Sequence, residues 1–128
     1  MPEIYRIVIV EDDVFLQKLY RSKFESAGFA VAVAGDGEAG LKVIREQLPH
    51  VVLLDVDLPK LDGFSVLRQI RAEAATAATP VIMLTNSSRA EAIDLARELQ
   101  ASDYLIKAHF LPSEVLAKVD ILIGRTLT

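Results

Sequence analysis

Val51-Val52-Leu53-Leu54-Asp55-Val56-Asp57-Leu58-Pro59-Lys60-Leu61-Asp62-Gly63 is the stretch whose reading decides the fold. Four branched apolar residues break off into an acid. A second acid follows two residues later, and Pro59 and Asp62-Gly63 then turn the chain. An apolar run without polar alternation, bounded by turn residues, is the pattern of a strand buried on both faces. Asp55 then stands where that strand leaves the sheet, with its carboxylate at the rim.

The pattern recurs on either side. Ile4 to Val10 reads as a strand ended by Glu11-Asp12-Asp13, and Ala30 to Ala34 as a short one. Pro80 opens Val81 to Leu84, ending at Thr85, and Asp103 to Lys107 reads as a fifth. Helical spacing fills the intervals. Leu16, Leu19, Tyr20, Phe24 and Ala27 mark a helix from Val14, stopped by Gly28. Leu41, Ile44 and Leu48 mark a second, closed by Pro49. Val66, Leu67 and Ile70 mark a third, from Phe64 to Ala72. Ser88 with Glu91 three residues on has the form of a capping box for a fourth, reaching Leu99. Val115, Leu116, Val119, Leu122 and Ile123 mark a fifth, from Ser113 to about Arg125. Strands alternating with helices predict an α/β fold: a doubly wound parallel sheet joined by right-handed crossovers.

The totals agree. At 128 residues, 52% apolar and 25% charged, the chain is expected to be one domain filling residues 1–128. There is no cysteine, which removes disulfides and thiolate metal sites. The formal net charge of −4 at pH 7 argues against a nucleic-acid-binding surface. The N-terminal apolar run meets acids at Glu11, too soon for a signal peptide or a membrane span, so a cytoplasmic location is expected.

Ligands bind open parallel sheets outside the carboxyl ends of the strands. Strand one delivers Glu11 and Asp12 there, strand three Asp55, strand four Thr85 and strand five Lys107. Strand two brings only Ala34 and Gly35. The flavodoxin-like order 2-1-3-4-5 would set the four equipped strands side by side. Three acids crowded with one lysine call for a hard divalent cation, and Mg²⁺ favours one or two carboxylates, waters and a phosphate oxygen. A carboxylate beside Mg²⁺, with a hydroxyl and an ammonium aimed at the same spot, is equipment for phosphoryl transfer. Asp55 would be the nucleophile and form an acyl phosphate.

These residues resemble a response-regulator receiver domain, the phospho-acceptor of two-component signalling, over essentially the whole chain. The resemblance rests on Val10-Glu11-Asp12-Asp13, Leu54-Asp55 through Leu58-Pro59 to Asp62-Gly63, Leu84-Thr85, and Asp103-Tyr104-Leu105-Ile106-Lys107, in that order. It implies that Asp55 is phosphorylated, that Asp12 ligates Mg²⁺ directly and Glu11 through water, and that the Asp57 carbonyl is a further ligand. Thr85 and Lys107 would hold the phosphoryl group, and Tyr104 would be the aromatic switch that follows Thr85. The implied partners are a sensor histidine kinase or histidine phosphotransfer protein, docking near helix one. A downstream protein or a second copy would use the face of helix four, strand five and helix five. That face would offer Arg89, Glu91, Asp94, Arg97, Glu98, Lys118 and Asp120. Two positions depart from the pattern. Ala108 replaces the proline that usually follows the lysine, and a cis bond there would cost about 3 kcal/mol. Asn86 replaces a small residue at the pocket mouth, which predicts slower turnover of the phosphoryl group.

Blander roles compete at several positions. Asp13 is expected to cap the first helix, Asp62-Gly63 to form a turn, and Ser87 and Ser88 to cap a helix. His50 and His109 have no ligand-spaced partner and are expected at the surface. Asp55-Val56-Asp57 also has the form of a nucleophile–acid pair, as in haloacid-dehalogenase-like phosphohydrolases. Those carry it on the first strand, whereas here it ends the third. A flavin-binding domain of the same fold would need a Ser/Thr/Gly-rich phosphate cradle where Glu11-Asp12-Asp13 stands.

Overall fold

The computed structural model describes residues 2–125. The chain runs β1 (Arg6–Val10), α1 (Val14–Ser26), β2 (Ala30–Ala34), α2 (Gly37–Gln47), β3 (Val51–Leu54) and α3 (Gly63–Ala72). It continues through β4 (Val81–Thr85), α4 (Ala90–Glu98), β5 (Asp103–Ile106) and a 3₁₀ turn (Lys107–His109) to α5 (Pro112–Ile123). All strand pairs are parallel, in the order β2-β1-β3-β4-β5. This is the flavodoxin-like doubly wound architecture that the alternating pattern predicts.

Strand periodicity of two divides the core cleanly. Val8, Val10, Val52, Leu54, Val81 and Met83 face α2, α3 and α4, against Leu41, Ile44, Val66, Leu67, Ile70 and Ala96. Ile7, Ile9, Val51, Leu53, Ile82, Leu84 and Leu105 face α1 and α5, against Tyr20, Phe24, Val115 and Val119. Every residue of β3 is therefore covered on both sides, which is why its sequence shows no polar alternation.

Helix starts explain much of the loop chemistry. Asp13, Asp36 and Asp62 cap α1, α2 and α3, accepting from the amides of Leu16, Ala39 and Ser65. Gly28, with φ +94°, follows the end of α1 as its spacing predicts. The Ala/Thr-rich segment after α3 is held from within. The Thr76 hydroxyl donates to the Ile70 carbonyl, and the Arg71 guanidinium donates to the Ala77, Thr79 and Gln100 carbonyls.

Several expectations need correction. Ser88 does not cap α4; that helix starts at Ala90 with Arg89 at its N-cap and no side-chain bond there. Ile4 lies outside β1 and is exposed. Lys107 falls just beyond β5 and opens the 3₁₀ turn. Asp120 does not belong to an exposed face. It is buried, and its Oδ1 lies 2.9 Å from Arg125 Nη1, while Arg125 also donates to the Ala27 carbonyl. His50 is half-buried rather than a free surface residue. Its Nδ1 accepts from the Arg6 amide at 2.8 Å, and its ring meets Tyr5 edge-on. No cis peptide bond occurs among the described residues, so Lys107–Ala108 is trans.

Candidate functional site

The sheet order sets the carboxyl ends of β1, β3, β4 and β5 side by side, and the expected residues converge there. Backbone bonds carry the ladder one step past the strands. The Asp55 amide donates to the Val10 carbonyl at 3.1 Å and the Glu11 amide to Ala34 at 3.0 Å. Glu11 and Asp55 are thereby fixed at the rim, where both are buried, while Asp12 is exposed. One carboxylate oxygen from each of Glu11, Asp12 and Asp55 lies within 4.8 Å of the other two.

Lys107 reaches into this cluster. Its Nζ donates to Asp55 Oδ2 at 2.9 Å and also to Glu11 Oε1. Glu11 is fixed further by the Asp13 amide, which donates to its Oε2, and by the Gln17 side-chain amide, which donates to its carbonyl. Burial pushes the Glu11 carboxyl above its ordinary value, and the charge of Asp55 adds to this; the Lys107 bond works the other way without overcoming it. Burial also opposes the Lys107 charge, but its bonds to Glu11 and Asp55 outweigh that and hold the ammonium above its usual range. The two directions are consistent, because one ammonium is well served by two carboxylates and cannot serve both of them equally.

The donor set is all hard oxygen with a net negative charge, which fits a small divalent cation. Thr85 is fully buried at the end of β4, and its Oγ1 accepts from the Ser87 amide at 3.3 Å. The Ser87 carbonyl in turn accepts from the Tyr104 hydroxyl at 2.8 Å, so the β4–α4 loop joins the two expected switch residues. Burial, with the charges of Asp57 and Asp55, raises the Tyr104 phenol. Asp57 is exposed and gives its main chain to the site: its amide donates to Asp55 Oδ1 at 3.3 Å.

Sequence reasoning missed three contributors. Tyr20 looks like an ordinary apolar position of α1, yet it lines a small cavity with Glu11 and Asp55 beneath the acids. Gly63 reads as a turn glycine, but a Cβ there would stand 2.0 Å from the Asp55 carbonyl oxygen. Gly37 would place a Cβ 1.7 Å from the Leu61 carbonyl oxygen. Spacing marks Tyr20 as inward-facing, but only the folded backbone shows the two close approaches.

The fold and this pocket define a doubly wound domain with an acid-rich, cation-compatible cleft at its strand ends. Residues 7–120 match the family described as the response regulator receiver domain, and the chain belongs to that family, the signalling domain of two-component regulators. It is 38% identical over 114 residues to the DNA-binding response regulator MtrA of Mycobacterium tuberculosis, covering 89% of this chain and 48% of that protein. The chain thus spans about half the length of the curated relatives it matches. Among solved structures it is similar to the receiver domain of the sensor histidine kinase PA1611 from Pseudomonas aeruginosa. The TM-score is 0.86 at 29% identity, covering 94% of this chain and 98% of that one, which holds a magnesium ion in its active-site cleft. It is also similar to the BeF₃-activated receiver domain of RstA from Klebsiella pneumoniae, with TM-score 0.84, 30% identity, and 92% and 97% coverage. The phosphohydrolase reading is not supported, since the family is another and Asp57 is exposed, outside the carboxylate cluster of Glu11, Asp12 and Asp55.

Proposed function

We propose that Asp55 is the phospho-acceptor of this receiver domain, and that Lys107 and Thr85 hold the transferred phosphoryl group. The observation that carries the reading is the Lys107 ammonium bonded to both Asp55 and Glu11 at the mouth of the carboxylate cluster. An Asp55 oxygen attacks the phosphorus of a phosphohistidine. The new O–P bond forms as the P–N bond breaks, and imidazole leaves with its electron pair. Lys107 would neutralise charge on the phosphoryl oxygens and the Thr85 hydroxyl would orient one of them. Asp12, Glu11, Asp55 and the Asp57 carbonyl would hold Mg²⁺, which supplies further charge neutralisation when bound. Water attack at the same phosphorus would return free Asp55, so the domain would assist its own dephosphorylation.

Phosphodonor docking fits α1, where Val14, Phe15 and Leu19 are exposed beside the site; Phe15 is 71% exposed. Phosphorylation would draw Thr85, and through Ser87 and Tyr104 shift a two-state equilibrium of the α4–β5–α5 face. That face carries Arg89, Glu91, Asp94, Arg97, Glu98 and Lys118, without Asp120. Its exposed pairs Arg97–Asp94 at 3.5 Å and Arg89–Glu91 at 4.0 Å are weak enough to be exchanged for a protein partner or a second copy. The contacts of this domain are with proteins rather than DNA or a membrane, in the cytoplasm. No helix among the described residues is long and apolar enough to cross a bilayer.

Mass spectrometry after incubation with Mg²⁺ and acetyl phosphate tests the reading. One phosphoryl group should be gained, and Asp55→Asn should gain none. No gain in the parent protein would overturn it. If Tyr104→Ala left phosphorylation-dependent partner binding unchanged, the switch role would fall.

A further inference from the structure

The first turn of α2 lies against the loop that carries Asp57. The Gly37 amide donates to the Pro59 carbonyl at 3.1 Å, which ties the helix start to the middle of the β3–α3 loop. No side chain fits between them. A Cβ on Gly37 would meet the Leu61 carbonyl oxygen at 1.7 Å, its carbon at 2.6 Å and the Leu61 Cβ at 2.8 Å. Two of those three atoms are backbone and cannot rotate aside. The loop is taut where it is held. Lys60 has φ +67°, and the Leu61 amide turns back onto the Pro59 carbonyl at 2.7 Å. Its far end is fixed too, by the Gly63 amide donating to Val56 at 2.8 Å. Asp57 sits between these anchors, with its amide on Asp55 Oδ1. A displacement of Pro59–Leu61 therefore moves both the Asp57 main chain and the carboxylate it orients.

We infer that Gly37 is a positioning residue for the phosphorylation site: the bare helix start of α2 is the stop that sets the Asp57 main chain against Asp55. The inference rests on the proposed Mg²⁺ and phospho-acceptor reading, and it assigns a second layer to that site which contacts neither metal nor phosphate. The helix itself supplies a control. The three atoms nearest a Cβ on Gly40 all belong to the Val10 side chain, at 2.7, 2.8 and 3.3 Å, so Gly40→Ala strains the same helix without pressing on the Leu61 backbone.

The test measures Mg²⁺ affinity by calorimetry and folding stability by urea titration for the parent, Gly37→Ala and Gly40→Ala. Disturbing a group that orients metal ligands typically weakens affinity about 10- to 100-fold. Gly37→Ala should lose at least about tenfold in Mg²⁺ affinity under conditions where it is folded. Gly40→Ala, which presses on the residue whose carbonyl holds Asp55, should lose less affinity than Gly37→Ala for any given loss of stability. Equal affinity in Gly37→Ala and the parent, or losses that track stability in both variants, would overturn the inference. Should Gly37→Ala not fold, amide shifts of the parent protein decide. On Mg²⁺ titration the Gly37 amide should move with the same midpoint as that of Asp57, and a silent Gly37 amide would overturn the inference. Absence of Mg²⁺ binding by the parent would instead strike the functional reading beneath it.

Discussion

Replacing Lys107 with methionine should convert the carboxylate cluster from a balanced one into an open source of instability. Methionine keeps most of the apolar stem of lysine but removes the ammonium. Glu11 and Asp55 would then face each other with side chains 4% and 7% exposed and no cation between them. Removing one partner of a buried ion pair costs about 3–5 kcal/mol, because the remaining charge is left without water or counter-ion. With a urea dependence of about 2 kcal/mol per molar, the unfolding midpoint should fall by roughly 1.5–2.5 M in EDTA. Mg²⁺ should restore much of this, since a ligand at a hundred times its Kd adds about 2.7 kcal/mol. The gain should be larger in the variant than in the parent, whose lysine repels the incoming cation. The assay is urea unfolding followed by circular dichroism, with and without Mg²⁺. Lys42→Met, at a side chain 78% exposed, serves as control and should shift stability by no more than about 0.5 kcal/mol. A Lys107→Met midpoint in EDTA equal to the parent's would refute the reasoning, because the carboxylates would then have another source of compensation.

Three other perturbations have defined outcomes. Gly63→Ala would press a Cβ to 2.0 Å from the Asp55 carbonyl oxygen and 2.9 Å from Val56 Cα; it should destabilise by at least about 1–3 kcal/mol, read as a lowered melting temperature. Burial, reinforced by the Arg6 charge, holds His50 below its ordinary value despite the Arg6 amide bond. Unfolded chains therefore take up this proton first, and stability should be full above pH 6.5 and fall as pH drops below it. His50→Gln should flatten that part of the curve, and parallel curves for the two proteins between pH 8 and 5 would contradict the assignment. Asn86 is exposed beside the buried Thr85, so Asn86→Ala should speed gain or loss of the Asp55 phosphoryl group. Unchanged rates in both directions would remove Asn86 as the brake.

What the sequence made legible was what strands and their ends determine locally. Apolar runs at Ile7–Val10, Val51–Leu54 and Val81–Leu84, bounded by turn residues, fit two-faced strands. In a parallel sheet, strand ends alone are enough to gather Glu11, Asp12, Asp55, Thr85 and Lys107. Asp120 was misplaced because its charge outweighed its spacing. It stands four residues after Leu116 and three before Ile123, on the inward stripe. What permits it there is Arg125, returned to it across Gly124, whose φ is +70°. That contact depends on a left-handed helix end, which a pattern of charges does not show. The α4 capping box failed for a related reason. The Ser87 main chain is engaged by Thr85 and Tyr104, and the helix starts later than Ser88 requires. Gly37 and Gly63 were unreadable as close approaches because both facing backbones are fixed by tertiary structure.

The way the helices are anchored bears on where a signal would leave this domain. α1, α2 and α3 begin at aspartates whose side chains bond to their first-turn amides, and α5 begins with the Leu111 amide donating to Glu114. A side-chain cap contributes about 1 kcal/mol to a helix start. α4 has none, is nine residues long, and buries only Ala96. Elements with few buried contacts and uncapped ends open or shift at the lowest free energy. α4 is also the helix reached from Thr85 through the Ser87 main chain, with Tyr104 holding the next link. If Thr85 is drawn as proposed, the pull would reach the element least able to resist it, while the helices beside the acids are held by their caps. On the proposed reading, the site would gain charge without loosening its own frame, and the displacement would pass to the α4–β5–α5 face.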